Sequence, residues 1–357
     1  MSECSNRGKM IEPVLVVVGL RYGHCCFAVP PRERPVLDAV PVASSPSVQA
    51  RPVPALRLPS GVGEVVGMSA GRWPMPAVVE LGDLGPLSGT VAEQRAGVHR
   101  ILHHPGWLAK LDEQPAGQDE AVRVDELVAL PTALAEDDAT VLRTCTAWPA
   151  ARITTSDGSA HGCVIPAVPE GSRQIGEQHV DRQSRSDRLR ACRNLVAVAD
   201  VLERHDLVHP DWSWNTVLWR PDVSVFVTDV DRCGRGAVPN TPFPDWDDPL
   251  TPPAQEADAC TARFRVALLV TRWLTGQSEG AAAVGALADS DGLGNRGLRE
   301  VLLDVLLSTR REQRPSTAEL EAVLAGELYV RDGAFPGRLP LPARPVREPS
   351  ASVEYLD

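Results

Sequence analysis

Lysine is almost missing from this chain. Only Lys9 and Lys110 occur, and every other basic residue is arginine. A chemistry that needs an ammonium group has two places to find one. Positive charge is also in short supply: 36 Lys+Arg face 47 Asp+Glu, for a net charge of −11. Such a chain repels phosphate backbones and anionic lipid, which argues against nucleic-acid and membrane partners. No apolar run approaches the ~20 residues that span a bilayer. The longest near the start, residues 14–20, follows Glu12 and Pro13 and is too short and poorly flanked for a signal peptide, so it reads as a buried strand. The eight cysteines include no CxxC pair. They read as reduced thiols in a cytoplasmic protein. His24-Cys25-Cys26 has no second ligand pair to complete a metal site.

What is present is ordinary globular material. The chain has 357 residues, 43% hydrophobic and 23% charged, enough for a core and about two compact units. Gly and Pro, 28 and 32 residues, concentrate in loops and tails. Residues 1–55 read as a poorly ordered lead-in, with a Pro- and Ser-rich stretch from residue 30. From 56 to 168 short strands alternate with Gly, Pro and Asp breaks, interrupted by one helical stretch over 89–103. After residue 170 the period changes. Leu189, Cys192, Leu195, Val196, Ala199 and Leu202 fall on one helical face, with Asp187 as its cap. Further helices are expected over 261–274, 297–308 and 316–325, the last opened by the Ser316/Glu319 capping box. The Pro-rich tail over 329–357 reads as disordered. A strand-rich unit followed by a helical one leaves a cleft where ligands bind.

The chemistry concentrates in residues 207–234, LVHPDWSWNTVLWRPDVSVFVTDVDRCG. His209-Pro210-Asp211 forms a tight turn. Two short strands follow, around Arg220-Pro221-Asp222, and the second ends at Asp229-Val230-Asp231. This hairpin brings Asp211, Asn215 and Asp229 to one edge. Phosphoryl transfer uses that set: one carboxylate to orient an attacking hydroxyl, an amide and a second carboxylate to hold Mg²⁺. The same residues also suit a plain hairpin with turn-forming Asp and Asn.

The segment resembles the catalytic and metal-binding loops of the protein kinase superfamily, in a divergent bacterial, actinobacterial-type Ser/Thr form. His209-Pro210-Asp211 matches the His-Arg-Asp turn, and Asp229-Val230-Asp231 stands where Asp-Phe-Gly would be. Residues 261–276 resemble the long central helix, with its Leu-Thr-Gly end. Residues 310–320 resemble the Arg-Pro-Ser/Thr element. Asp247-Asp248-Pro249 stands for Ala-Pro-Glu, whose acid pairs with the arginine matched by Arg314. Residues 93–105 resemble the small-lobe helix and its His-Pro loop, 146–168 the last small-lobe strands and hinge, and 58–66 the Gly-rich loop.

The resemblance implies an α+β, protein-kinase-like bilobal fold, with a small strand-rich N-lobe over 56–168 and a larger helical C-lobe over 169–328. It implies ATP and Mg²⁺ as cofactors. Ser60, Gly61 and Gly63 would cover the phosphates. Asp211 would orient the acceptor hydroxyl, Asn215 and Asp229 would hold the metal, and Glu93, Arg314 and Asp248 would be structural. The partner implied is a protein substrate or a protein binding partner.

Four positions depart from the family pattern. The strand expected to carry the phosphate-gripping lysine reads Pro76-Ala77-Val78-Val79-Glu80-Leu81, with Glu80 at the matching place. At an effective dielectric of about 20, a unit pair about 4 Å apart is worth about 4 kcal/mol, so a reversed sign is a large penalty. Asp211 and Asn215 stand one residue closer than in the family. Ala262 replaces the aspartate that braces the catalytic turn. The Gly-rich loop has Leu58-Pro59 in place of its first glycine. Three readings therefore stand: a protein kinase, a pseudokinase that serves as a binding module, and an aminoglycoside-type small-molecule kinase. The Arg-Pro-Ser element and the Leu-Thr-Gly helix end argue against the last.

Overall fold

The computed structural model describes residues 75–88, 97–175, 183–241, 243–252, 255–290, 296–330 and 337–342, all within one compact unit, Val66–Asp357. The expected lead-in and the Gly-rich loop with Ser60, Gly61 and Gly63 lie outside the described residues, as does Glu93.

The strand-rich part is a five-stranded sheet. Its members are β1 (Val78–Glu80), β2 (Val98–Arg100), β3 (Trp107–Leu111), β4 (Ala151–Thr154) and β5 (Ala160–Pro166), in the order β1-β4-β5-β3-β2. β1 runs parallel to β4, and the other pairs are antiparallel. Of the stretch 89–103, where a helix is expected, residues 97–103 are described, and there Val98–Arg100 is strand, paired with β3 through Val98↔Lys110. The helices of this half come later, as α1 (Gln118–Ala133) and α2 (Glu136–Cys145). The apolar spacing of residues 98–111 serves a sheet buried on both faces, where alternation is hard to tell from a short helical stripe.

Strand periodicity sets the two faces of β3. Trp107, Ala109 and Leu111 pack with Val79, Ile101, Ile153 and Val164 on one side. Leu108 packs on the other with Val124 of α1 and with Leu218 and Phe226. Those two belong to β8 (Val217–Trp219) and β9 (Val225–Val227), a hairpin of the helical part. Lys110 shares the face of Leu108, so its side chain is directed to the hairpin. Ala147 N–H also donates to the Val227 carbonyl at 2.8 Å. Sheet and helical body are thus tied together around that hairpin.

The helical body is built on α3 (Arg185–Arg204), α4 (Ala259–Thr275), α5 (Gly280–Asp289), α6 (Arg296–Leu307) and α7 (Thr317–Ala325). Leu195, Val198, Leu202, Val266, Leu269, Val270, Trp273, Leu302, Leu306 and Leu320 share one buried core. The cap of α3 is Ser184, which accepts from Asp187 N–H, so Asp187 sits three residues inside the position expected for it. Ser316 and Glu319 form the reciprocal capping box of α7. Beyond α7, residues 337–342 of the Pro-rich tail lie against α6, where Arg338 meets Asp304 at 2.7 Å and Glu300 at 2.8 Å. The charges of that stretch bind it where its apolar content does not. Trp212, Trp214 and Trp219 pack inward: Trp212 is 1% exposed, and Trp214 and Trp219 meet Trp246 and Trp273, each with ring centroids 5.6 Å apart.

Candidate functional site

His209 joins the two halves of the segment over 207–234. It follows β7 (Leu207–Val208) and is 1% exposed. Its Nδ1 accepts from Asp211 N–H at 3.0 Å, and its Nε2 bonds the Thr228 carbonyl at 3.0 Å. The first contact requires an unprotonated Nδ1, so the ring is neutral with its proton on Nε2. Burial drives its pKa below the ordinary 6.5, which keeps it neutral. The turn of Asp211 is thereby tied to the residue before Asp229. The hairpin adds a second tie, with Thr228 N–H donating to the Thr216 carbonyl at 2.7 Å.

The brace of the Asp211 turn is an arginine. Arg265 of α4 is 2% exposed and donates to the Pro210 carbonyl. Its Nη2 reaches Asn240 Oδ1 at 2.9 Å, Asp247 at 3.2 Å and the Thr241 carbonyl at 3.3 Å. The family pattern places an acid at the position of Ala262. The brace lies one turn later, inside an apolar run, with the opposite charge and a carbonyl acceptor.

Asp229, two residues past β9, sits in the left-handed region, with φ 58° and ψ 23°. A non-glycine residue there is strained and is held by its surroundings. Lys110 supplies much of that hold. Its Nζ bonds Asp229 Oδ1 at 3.0 Å and both oxygens of Asp231 at 2.8 Å. The three side chains are only 21%, 11% and 14% exposed, so solvent screens them weakly. From α1, Arg123 Nη1 adds a bond to the Asp231 carbonyl at 2.8 Å.

This overturns the assignment of Glu80. Glu80 ends the edge strand β1, exposed, on the far side of β4 from β5 and β3. β3 pairs directly with β5, and it carries the lysine. Lys110 and Asp231 complete the cluster around Asp229, and neither is a candidate in the sequence reading. The signal was available: one of two lysines in the chain, in an alternating Trp-Leu-Ala-Lys-Leu run. The strand containing Glu80 masked it by offering an apolar run nearer the Gly-rich stretch.

Asp211 is half-buried, and its carbonyl accepts from Thr216 Oγ1 at 2.5 Å. Thr216, buried, takes the place where the family has its amide, and Asn215 is exposed one residue earlier. Asp248 and Arg314 meet as a two-pronged pair with both side chains 0% exposed and both N···O distances 2.6 Å. Burial alone would push the Asp248 carboxyl up, but the Arg314 fork holds it below the usual range.

A sheet with a lysine on its third strand faces two aspartates that follow a hairpin, and a buried Asp–Arg lock lies in the helical body. The architecture is α+β, a five-stranded sheet followed by a helical body, as the resemblance implies. No protein-family model and no curated protein matches the chain. Among solved structures it is similar to the ROP18 kinase domain in complex with AMP-PNP and sucrose, with TM-score 0.46 and 10% identity, covering 67% of this chain and 80% of that chain.

Does the site suit Mg²⁺? Among the described residues no cluster of three or more His, Cys, Asp or Glu forms a metal cage. Mg²⁺ does not need one, because it binds through one or two carboxylates together with phosphate oxygens and water. Asp229 and Asp231, brought together by Lys110, supply the two carboxylates, while Asn215 is exposed and is not part of that bonded cluster. No helix among the described residues is long and apolar enough to cross a membrane.

Proposed function

We propose that the chain is a divergent Ser/Thr protein-kinase-like phosphotransferase that binds ATP with Mg²⁺ and acts on a protein hydroxyl. The observation that carries this reading is the Lys110 ammonium against Asp229 and Asp231. A charge-assisted cluster this dry stabilises one geometry, and it supplies the phosphate-gripping cation whose absence weighed against activity. Lys110 would exchange part of its carboxylate contacts for phosphate oxygens. Asp229 and Asp231, with Asn215, would hold Mg²⁺, whose chemistry is to neutralise charge on the phosphates. Asp211 would orient the acceptor hydroxyl and take its proton on a carboxylate oxygen. His209 and Arg265 would fix the Asp211 turn.

The second reading, a pseudokinase that binds a protein partner, is favoured by the exposed Asn215 and the buried Thr216 behind Asp211. Two measurements separate these readings. ATP–Mg²⁺ should raise the melting temperature of the wild type, and Lys110→Met should weaken ATP affinity by about tenfold or more, the worth of a charged hydrogen bond. Radiolabelled phosphoryl transfer should occur with wild type and vanish in Asp211→Ala. Binding without transfer assigns the pseudokinase, and no response to ATP removes the nucleotide-binding reading altogether.

A further inference from the structure

Helix α1 reaches the loop of Asp229 and Asp231 with a guanidinium. Arg123 Nη1 donates to the Asp231 carbonyl at 2.8 Å and, less closely, to the Cys233 carbonyl at 3.4 Å. Its Nη2 bonds Glu120 Oε1 at 2.9 Å, three residues earlier on the same helix. The stem has its own contact, since a Cβ on Gly234 would lie 3.5 Å from Arg123 Cδ. One planar fork thus links its own helix to two backbone carbonyls of another segment, which a compact ammonium cannot do.

Those carbonyls belong to a tight turn. Val230–Arg232 is a single 3-10 turn, in which Arg232 N–H donates to the Asp229 carbonyl at 3.1 Å and Cys233 N–H to the Val230 carbonyl at 3.0 Å. Just beyond it, Gly234 and Arg235 pair with β7. Asp229 enters the turn at φ 58°, a conformation that persists only where the surroundings enforce it. Lys110 enforces it through carboxylate oxygens, and Arg123 through the main chain. The difference has a use. Under the kinase reading Lys110 gives up part of its carboxylate contacts to phosphate oxygens. That loosens an anchor on the side chains and leaves an anchor on the carbonyls untouched.

We propose that Arg123 is a positioning residue: it holds the turn over 229–233 by its backbone, so that the Asp229 and Asp231 carboxylates keep their place when Lys110 turns to the nucleotide. The clamp is a property of the chain alone, and its use rests on the kinase reading.

The clamp is tested by hydrogen exchange on the full chain without nucleotide. Mass spectrometry follows peptides over 229–235, with peptides over 262–275 in α4 as the control for folding. Arg123→Met should speed exchange at the Arg232 and Cys233 amides by about tenfold, the worth of one charged hydrogen bond, with the control at its wild-type rate. Lys110→Met should speed it by about threefold at most, because the backbone anchor remains. Wild-type rates in Arg123→Met overturn the proposal. So does a Lys110→Met turn that is released as fully as in Arg123→Met. Should Arg123→Met also open the control peptides, Arg123→Lys decides: it keeps the charge and loses the fork, so its turn should exchange at a rate between the two, and a wild-type rate overturns the proposal.

The use of the clamp is tested by ATP affinity with Mg²⁺ and with EDTA. Arg123→Met should weaken binding by about tenfold with Mg²⁺ and leave it within about twofold in EDTA, because the carboxylates matter only when they meet the metal. Equal losses in both conditions would mark a merely structural role and overturn the positioning. A wild type that binds no ATP removes the nucleotide reading, while the exchange rates still decide the clamp, so the two failures are distinct results.

Discussion

At the scale of single residues, the site depends on a lysine set among carboxylates and a histidine that burial keeps neutral. Lys110 sits among carboxylates, and its Nζ leaves no oxygen of Asp231 unengaged. Arginine at this position would not serve, because a planar fork replaces a compact point charge. His209 gives a pH prediction. Burial lowers its pKa from 6.5 in the folded state, so the unfolded chain takes up a proton where the folded chain does not. Its contribution to stability is complete above about pH 6.5 and declines as the pH falls below that value. Urea midpoints near pH 7.5 and 5.5 should therefore fall more steeply with acid in the wild type than in His209→Gln. Equal slopes would mean that the ring is protonated in the fold.

At the scale of elements, the strand period directs Lys110 to the hairpin, and a glycine lets its strand approach. Gly162 in β5 has φ +128°, and a Cβ there would meet the Lys110 carbonyl oxygen at 2.0 Å. Gly162→Ala should lower stability by about 2–3 kcal/mol and reduce the thermal response to ATP–Mg²⁺, as read by denaturation with and without nucleotide. An unchanged protein would show that β3 and β5 can separate freely. The packing of α7 on α3 gives a prediction of the opposite sign to His209. Burial, and then the charge of Asp200, raises the Glu321 carboxyl to about 7. The folded state here binds its proton more tightly than the unfolded chain does, so stability is lost as pH rises from the ordinary 4.5 through about 7. Glu321→Gln should raise the melting temperature near pH 8 and leave it almost unchanged near pH 5. A variant less stable at pH 8 would show that the ionised carboxylate is favourable.

At the scale of the whole molecule, a sheet and a helical body are held so that groups far apart in sequence meet. Within the helical body, Asp248 and Arg314 are the strongest test. Removing one partner of a fully buried pair leaves an uncompensated charge, so Arg314→Ala should cost about 3–5 kcal/mol in chemical denaturation. Replacing both by leucine should restore much of it, and a loss below about 1 kcal/mol would mean that water reaches the pair. Much of this was legible in the residues. The Asp211 turn, the hairpin, the Asp229 position, the Asp248–Arg314 match, the α7 capping box and the late helices rest on local patterns: turn chemistry, helical period and cap spacing act over a few residues. What the sequence by itself could not rank were apolar runs competing for one place in the sheet. Glu80 and Lys110 each lie in a short strand, and only the order β1-β4-β5-β3-β2 says which strand stands beside β5. The arginine brace at Arg265 was illegible for the same reason: its acceptor, a backbone carbonyl 55 residues away, leaves no mark on the side-chain pattern. Local propensity therefore determined the elements and the acidic turn. Long-range pairing of strands decided which cation faces it, because an ion pair is specified by distance in space and strand order is not written in either partner.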